Sequence, residues 1–488
     1  MTEPHAHIDF DSLPPLRRDR AYWGMTITQF LGALNDTIFK QLVLLLCLRV
    51  VTAEGNSEDK QFLAQAIFAL PFVLFSGIAG FWSDRVVKRN LIIACKVFEI
   101  AVMAAAAGTF AWMAAPTVRQ IVVEIGGERI QDDLYLIHGL PWLLFVVLFL
   151  MGLQSTIFGP AKYGILPEMV RGEDLPRFNG DIQMTTFIAL IVGVAIGGKL
   201  LDMFYDALWL GSLICVGIAV VGTSTSWFVR RTPVAQQGAP FSWAAFAADK
   251  EVIQLLKRDK PLCLALVAYS LFWFVTATLP MTFNWLGKYQ FRLDYFNTSM
   301  LLATSSIGIA IGFVLGGWYS KGRVRFGLVR IGTWGLIICL VVISLPGSVT
   351  PQRLEVTTSV MATADDFAAP GTSDTEEVII WPHLLGRIGS QLLLVLMGVF
   401  AGLFALPIQV YLQSRPPENL KGRMIGTMNL INWIAIIGSA VFYGVCGELL
   451  ASLELPKFFI FGITGLLLLP LAMFYRPKDV ILNHSSDA

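Results

Sequence analysis

The chain has 488 residues, of which 55% are hydrophobic and only 15% are charged. A soluble domain carries about 25% charged residues, so a chain of this length could not cover a globular surface, and lipid must surround most of it. Soluble enzymes and disordered scaffolds are therefore excluded. The formal net charge of +1 argues against a nucleic-acid partner, because nucleic-acid-binding domains carry a clustered basic excess.

Polar turns divide the chain into twelve apolar stretches of about 20 residues or more, the length that a helix needs to cross a bilayer. Residues 1–21 lack the short apolar core and cleavage site of a signal peptide, so they are predicted to form a cytoplasmic tail. The sequence predicts an all-α membrane protein. Its twelve predicted spans are 22–49, 61–82, 90–115, 138–160, 180–202, 207–229, 260–287, 296–320, 327–346, 386–412, 423–447 and 456–475.

The distribution of lysine and arginine predicts the orientation. If the N-terminus is cytoplasmic, most of the 36 basic residues fall in cytoplasmic segments. This is the pattern of the positive-inside rule, and it requires an even number of spans. Both termini are therefore predicted to be cytoplasmic.

Three connecting segments are longer than turns. Residues 118–137 place apolar and polar residues around Gly126 and Gly127, which indicates a short extracytoplasmic hairpin. Residues 347–384 are rich in threonine, serine, alanine and acids, and are predicted to form a mobile loop. The cytoplasmic segment 231–259 has near-helical apolar spacing in 241–256, which fits an interfacial amphipathic helix or a solvated linker.

The two halves of the chain resemble each other weakly. Residues 150–152 read Leu-Met-Gly and recur at 396–398, and in both places a phenylalanine and a proline follow. Repeats of the same topology predict two six-helix bundles with a substrate path between them, which is typical of a transporter. The predicted divisions are the bundles 22–230 and 260–475, the linker 231–259, and the cytoplasmic tails 1–21 and 476–488.

The loop after the second span reads Gly80-Phe-Trp-Ser-Asp84-Arg85-Val-Val-Lys-Arg89. It resembles the signature loop of the major facilitator superfamily, although valine stands at position 87, where the family usually has a second glycine. The resemblance implies a gate in which Gly80 allows close helix contact, Asp84 caps a helix N-terminus, and Arg85 and Arg89 hold the cytoplasmic face. The alternative is a basic turn that merely obeys the positive-inside rule.

Within that superfamily the chain resembles the bacterial lysophospholipid transporters over nearly its whole length. The resemblance is carried by residues 29–40, residues 158–168 (Phe-Gly-Pro-Ala-Lys-Tyr-Gly-Ile-Leu-Pro-Glu), Asn179 with 185–198, and 407–429. It implies the major facilitator fold, a monomer in the bacterial inner membrane, and alternating access that moves lysophospholipids from the outer to the cytoplasmic leaflet. Membrane lipids and an acyltransferase that reacylates the product are the implied partners, and the chain is expected to be the stand-alone form without a fused acyltransferase.

Ionisable groups within membrane helices are costly and are functional candidates by default. Asp36 and Lys40 lie four residues apart on one face of the first span, with Gln29 on the same stripe and Asn35 adjacent. We expect Asp36 to bind a headgroup amine or a coupling cation and Lys40 to bind the phosphate. The alternative is a structural ion pair that holds the first helix in place.

The third span carries a second candidate pair. Lys96 and Glu99 lie three residues apart on one face, and they either face the cavity or brace neighbouring helices. Amides within other spans either bind ligand or tie helices together. Asn179 and Asn429 gain weight from the family resemblance. The amides considered are Gln154, Gln183, Asn179, Asn284, Gln409, Asn429 and Asn432.

Other residues carry weaker expectations. Lys162, taken as lying at the end of span four, is expected to be an interfacial anchor. Glycines of spans five and eight form small-residue stripes that serve either close helix packing or a lateral seam for an acyl tail. No histidine lies near the middle of a predicted span, because His138 and His383 border the outside loops. Any coupling is therefore expected to use a sodium ion or a proton on a carboxylate. No cofactor or metal is expected.

The sequence leaves rival functions open beside lysophospholipid transport. One is an ion-coupled exporter of small hydrophobic compounds, and the other is a membrane docking subunit for a lipid acyltransferase. Catalysis by the chain itself is not expected, because the sequence has neither a nucleophile elbow nor a histidine-acid pair with acyltransferase spacing.

Overall fold

The fold is described from a computed structural model. The described residues are 13–48, 50–51, 57–113, 117–125, 128–138, 141–232, 250–320, 323–348, 352–360, 373–417, 420–475, 477 and 479–481. The tail residues 1–12 and 482–488, most of the central linker and the tips of several loops therefore lie outside the description.

Helices form at all twelve predicted spans, which confirms the predicted fold class. The helices are α1 (Arg20–Leu46), α2 (Gln61–Arg85), α3 (Lys88–Trp112), α4 (Trp142–Met169), α5 (Leu175–Phe204), α6 (Leu208–Ser226), α7 (Lys250–Arg258), α8 (Lys260–Trp285), α9 (Tyr295–Ser320), α10 (Phe326–Ile343), α11 (Gly386–Ser414), α12 (Lys421–Ser452), α13 (Phe459–Leu467) and α14 (Leu469–Phe474). The twelfth span comprises α13 and α14, and α7 is the one helix here that lies outside the predicted spans.

The lengths and hydropathy of the observed helices agree with the membrane assignment. Within the described residues, nine stretches are long and apolar enough to cross a membrane, and one of them, residues 177–226, covers both α5 and α6. The remaining spans are α1, which contains charged residues, and residues 459–474, which form a shorter apolar segment. The protein is a multi-pass membrane protein.

Contacts divide the chain into two compact units. Unit 1 comprises residues 1–43, 67–115 and 141–247, and unit 2 comprises residues 44–66, 116–140 and 248–488. Each unit has its own apolar core: Met25, Ile165 and Phe178 are fully buried in unit 1, as are Leu340 and Phe283 in unit 2. The end of α1 and the start of α2 thus cluster with unit 2.

The segment before α2 is fixed within unit 2 by a buried carboxylate. Asp59 Oδ2 accepts a hydrogen bond from the Tyr443 hydroxyl at 2.7 Å and lies 3.0 Å from Lys457 Nζ. The next residues of this segment are tied to α8, because Asn284 Nδ2 donates to Gln61 Oε1 at 2.9 Å. These bonds hold the segment from residue 57 to the start of α2 against α8, α12 and the turn before α13.

Glycines allow close helix packing within each unit. In unit 1, a Cβ atom at Gly193 of α5 would lie 2.8 Å from Thr37 of α1. In unit 2, a Cβ atom at Gly312 of α9 would lie 2.3 Å from the carbonyl oxygen of Val399 on α11. Both stripes are filled by helices of their own unit, so the structure supports the packing interpretation of these glycines.

Two predictions about the long connecting segments have different outcomes. The hairpin is confirmed, because β3 (Thr117–Ile125) pairs antiparallel with β4 (Glu128–His138). The mobile loop at 347–384 is wrong in part: β6 (Gln352–Val360) and β7 (Ser373–Ile380) pair with each other, and β6 pairs with β3. A threonine-rich segment with many acids is ordered here because a strand distant in sequence supplies its hydrogen bonds.

These strands belong to a six-stranded sheet of order β2-β1-β4-β3-β6-β7, in which β1 is Val50–Val51 and β2 is Ser57–Glu58. A second, two-stranded sheet pairs β5 (Arg323–Val324) with β8 (Val480–Ile481). In the linker, α7 is helical over 250–258, which favours the predicted helix over a solvated linker in this part of the segment. Val252 is buried, while Glu251 forms an ion pair with Arg423 at 2.8 Å. Residues 241–249 lie outside the described residues.

Candidate functional site

A buried ion pair lies near the middle of α3 in unit 1. Lys96 Nζ contacts Glu99 Oε2, and each side chain is 1% exposed. The two residues share a face because they are three apart on a helix. A buried charge is tolerated when it is paired and hydrogen-bonded, so the surroundings of this pair decide its role.

Glu99 receives donors from three helices. Asn35 Nδ2 of α1 donates to Oε1 at 2.8 Å, and Gln154 Nε2 of α4 donates to Oε2 at 3.4 Å, where Lys96 also donates. Lys96 is enclosed by small residues, because a Cβ at Gly32 would lie 3.1 Å from its Nζ. Of the two roles left open by the sequence, the contacts favour a brace between helices.

Asp36 does not form the predicted ion pair with Lys40. Its Oδ2 accepts a hydrogen bond from the Ser155 hydroxyl of α4, and the side chain is half-buried. Oδ1 is buried and has no hydrogen-bond partner among the described residues. The ion pairs found in the described part of the chain do not include Asp36 with Lys40. The predicted neutralising pair is therefore not formed in the described structure, and the carboxylate contacts a serine of another helix instead.

Lys40 lies one helical turn further along α1. Its ammonium group is placed over the Phe68 ring, 4.9 Å from the ring centroid, and the side chain is half-buried. A cation over an aromatic face is attracted by the ring quadrupole, but its charge is not neutralised. Lys40 and Asp36 are thus presented separately, as one positive and one negative group.

Lys162 is a further charged group of unit 1, and the location predicted for it from the sequence is wrong. Span four was expected to end at residue 160, but α4 continues to Met169 through Pro160 and Pro167. Lys162 is consequently 9% exposed, with Nζ 3.4 Å from Gln29 Oε1 and 4.6 Å from the centroid of the Tyr163 ring. It is a buried lysine of the helix bundle, not an interfacial anchor.

The amide of Gln29 is used for helix packing. Its Nε2 donates to Ile182 O at 2.9 Å and to the hydroxyls of Thr185 and Thr186 on α5. Its Oε1 faces Lys162, so the side chain ties α1 to α5 and positions the lysine. Gln29 therefore has little capacity left to bind a ligand.

The other candidate amides named as binding residues lie on α5 and in unit 2. Asn179 Nδ2 donates to the Leu175 carbonyl of its own helix at 3.0 Å. Gln409 is half-buried on α11 and Asn429 is exposed on α12, both in unit 2. Among the described residues, no cluster of three histidine, cysteine or acidic side chains is suited to a metal ion.

The residues of the signature loop lie at the end of α2 and the start of α3. The Arg85 guanidinium stacks on the Phe81 ring at 4.0 Å, and Arg89 Nη2 donates to the Trp227 carbonyl at 2.7 Å. The expected close helix contact at Gly80 is not seen in the described part of the chain, since a Cβ there would meet none of its atoms within 4 Å. The side chain of Asp84 lies outside the described residues, so its capping role stays a prediction.

One ion pair near this loop was not predicted from the sequence. Lys88 Nζ lies 2.5 Å from Glu168 Oε1, which joins the start of α3 to the end of α4. Gly164 leaves room for the lysine, because a Cβ there would lie 3.1 Å from Lys88 Cε. The sequence signal was the Pro167-Glu168 end of the most distinctive stretch, which was read as family resemblance alone.

The chain belongs to the Major Facilitator Superfamily, whose family description matches residues 25–440. It is 22% identical over 421 residues to the "Lysophospholipid transporter LplT" of Photorhabdus laumondii subsp. laumondii, which covers 86% of each chain. It is 26% identical to proteins of the same name from Pectobacterium carotovorum subsp. carotovorum and Klebsiella pneumoniae. Those two matches cover 58% and 60% of this chain, and 60% and 64% of the relatives.

Solved transporters share the fold. The nucleoside transporter NupG aligns with a TM-score of 0.61 at 11% identity, over 94% of this chain and 100% of that chain. A bacterial homologue of the human lysosomal transporter Spinster aligns with a TM-score of 0.58 at 12% identity, over 94% and 92%. These structures show the shared fold, and membership of the superfamily indicates that the chain is a transporter.

Proposed function

We propose that this member of the Major Facilitator Superfamily moves lysophospholipids from the outer to the cytoplasmic leaflet of a bacterial inner membrane by alternating access. The name carried by its relatives supports this substrate class. The distribution of lysine and arginine supports an orientation with both termini in the cytoplasm. An acyltransferase on the cytoplasmic side is the partner that would consume the product.

The observation that carries the proposal is that Asp36 and Lys40 lie on the same helix but do not form an ion pair with each other. Both side chains are half-buried, they lie on one face of α1, and they do not neutralise each other. A zwitterionic headgroup contains an ammonium and a phosphate, which are the complements of these two groups. Asp36 Oδ1, which has no hydrogen-bond partner among the described residues, can accept from the ammonium, and Lys40 can donate to the phosphate.

Lys162 adds a second positive group to the surroundings of the carboxylate. Lys162 is buried in the same unit, on α4, the helix whose Ser155 contacts Asp36. Because Lys96 and Glu99 neutralise each other, the interior of unit 1 around Asp36 holds one negative and two positive groups. This excess of positive charge favours a ligand that brings a phosphate.

The test is counterflow of labelled lysophosphatidylethanolamine in proteoliposomes that contain the purified chain. Asp36→Asn and Lys40→Met are expected to lower the initial rate at least 10-fold, which corresponds to losing one charge-assisted hydrogen bond. Asp206→Asn and Lys257→Met are matched controls, because both side chains are exposed. They are expected to keep the rate of the unsubstituted chain.

A headgroup comparison separates the two roles. Lysophosphatidic acid lacks the amine, so Asp36→Asn is expected to slow lysophosphatidylethanolamine more than lysophosphatidic acid, whereas Lys40→Met is expected to slow both. Equal rates for both variants and the unsubstituted chain would return these residues to a structural role. No lipid movement by an active preparation would contradict the proposed substrate.

A further inference from the structure

The six-stranded sheet is assembled from both halves of the chain. The strands β1, β2, β3 and β4 come from the connections that follow α1 and α3, whereas β6 and β7 come from the connection between α10 and α11. Within this sheet, the pairing of β3 with β6 is the place where strands of the two halves meet. We call this pairing, which joins Arg119–Val123 of β3 to Val356–Val360 of β6, the seam.

The seam is shorter than the pairing within either hairpin. β3 pairs with β4 over its whole length, Thr117–Ile125, and β6 pairs with β7 from Gln352 to Ser359, but β3 meets β6 only over Arg119–Val123. Parting the sheet at the seam would leave both hairpins with their own ladders. The freed edge of β6 reads Gln-Arg-Leu-Glu-Val-Thr-Thr-Ser-Val, which is polar enough to be solvated.

Chain connectivity ties one side of the seam to helices of unit 1. Residues 116–140 cluster with unit 2, but the β3–β4 hairpin begins five positions after Trp112 of α3 and ends four positions before Trp142 of α4. Links of these lengths reach at most about 18 Å and about 14 Å when fully extended. The ends of α3 and α4 therefore cannot withdraw from the hairpin by more than these lengths, and a larger movement parts the seam.

We infer that the seam is a clasp of the transport cycle. It holds the α3–α4 connection to the α10–α11 connection in the conformation described here, and it parts when the transporter opens on that side of the membrane. This side is opposite the signature loop, because α3 alone separates the α3–α4 connection from that loop. The proposed function makes it the side from which the lipid enters, and the inference rests on that function only for this direction.

The connection between α1 and α2 is held to unit 2 by a second closure. Asp59 lies 3.0 Å from Lys457, and their side chains are 5% and 18% exposed. In the same connection, Val50 of β1 pairs with Ile137 of β4, so this connection and the hairpin are joined to each other. A hairpin that leaves β6 would pull on the Asp59 segment as well. A buried ion pair and a strand ladder thus close the same side.

The clasp is tested by cross-linking the seam with a disulfide in the purified full chain. One variant carries Ile121→Cys with Thr358→Cys, and another carries Val122→Cys with Thr357→Cys, which are neighbouring pairs of the register. Hydrogen-bonded and non-hydrogen-bonded pairs alternate along an antiparallel ladder. One of the two variants therefore has the shorter Cα separation, which lies in the range that a disulfide spans.

Oxidation of the seam variants is expected to slow counterflow of labelled lysophosphatidylethanolamine at least ~10-fold, because a locked clasp blocks a conformation that the cycle requires. Reduction is expected to restore the rate. The matched controls keep the β3 positions and place the second cysteine on β4, and they are expected to keep their rate because the hairpin moves as one piece. They are Ile121→Cys with Asp132→Cys and Val122→Cys with Gln131→Cys.

The six native cysteines are present in both sets of variants, so their oxidation does not distinguish the sets. A seam disulfide that is confirmed by mass spectrometry and leaves the rate unchanged would overturn the inference. An equal loss in the β4 controls would overturn it as well, because the seam would then not be the moving part.

Electron paramagnetic resonance gives a readout that does not depend on lipid transport. Asp133 on β4 and Ser373 on β7 lie on one row of the sheet that crosses β3 and β6. Three strand spacings separate them, which is about 14 Å. Spin labels on Asp133→Cys and Ser373→Cys in lipid nanodiscs are expected to show this short distance together with a second, longer one.

A control pair lies on one side of the seam. Labels on Glu58→Cys of β2 and Thr117→Cys of β3 are also three strands apart, and they are expected to show a single distance. Both pairs are placed in a chain with Cys263→Ser, because the other five native cysteines are buried. A single distance for the pair across the seam, with or without lysophosphatidylethanolamine, would overturn the clasp. Two distances in a preparation that moves no lysophosphatidylethanolamine would support the clasp and refute the proposed function.

Discussion

Glu99→Gln removes the carboxylate from a pair of side chains that are each 1% exposed. Lys96 would remain surrounded by Gly32 and Gly222, with a Cβ at either position about as close to its side chain as packing allows. Removing one partner of a buried ion pair costs about 3–5 kcal/mol, because the remaining charge is desolvated and uncompensated. We expect the free energy of unfolding to fall by about that amount.

A double variant shows how much of this loss comes from the stranded charge. Lys96→Met with Glu99→Gln leaves no charge in the site, and the new amide oxygen can still accept from Asn35. We expect this protein to be at least ~2 kcal/mol more stable than the single variant, because no buried charge remains.

Stability of these variants can be measured by unfolding the purified chain with increasing fractions of sodium dodecyl sulfate and following helicity by circular dichroism. Two results would refute the reasoning. One is a Glu99→Gln protein within about 1 kcal/mol of the unsubstituted chain, the level of an exposed ion pair. The other is a double variant less stable than the single one, which would show that the lysine is not stranded.

Two further predictions concern unit 2, and thermal unfolding followed by intrinsic fluorescence checks both. Gly312→Leu is expected to separate α9 from α11 and to lower the melting temperature. Gly317→Leu is the control, because the nearest atom to a Cβ at Gly317 is 4.0 Å away. Equal effects of the two substitutions would contradict the packing argument. Asp59→Asn is expected to destabilise the chain by about 1–3 kcal/mol, because Lys457 loses its buried partner. A melting temperature unchanged by Asp59→Asn would show that this partner contributes little.

The helical spans could be predicted because hydropathy is a local property. A run of about 20 apolar residues has few alternatives to a membrane helix, and the hairpin at 117–138 carries its turn signal in its own sequence. The strands in 352–380 could not be predicted, since their composition suggests a loop and their order depends on pairing with β3, more than 200 residues earlier. Local pattern does not contain that information.

The sequence indicated which residues belong to the candidate site, but not which hydrogen bonds they form. The spacing of Asp36 and Lys40 indicates a shared helical face correctly, yet spacing within one helix says nothing of a serine 119 residues away that competes for the carboxylate. Lys162 was misplaced for a related reason. The predicted span ended at residue 160, whereas α4 continues through Pro160 and Pro167. Proline is tolerated within membrane helices when neighbouring helices satisfy the freed backbone groups.

The two carboxylates near the middle of unit 1 differ in how many donors reach them, and this difference assigns their roles. Glu99 accepts from a lysine and two amides, so it has no capacity left and any movement of α1, α3 or α4 relative to one another would break these bonds. Asp36 is in contact with one hydroxyl and keeps an oxygen without a partner among the described residues. A carboxylate whose bonds are complete is suited to hold helices together. A carboxylate with unused capacity is suited to accept a hydrogen bond from a headgroup ammonium.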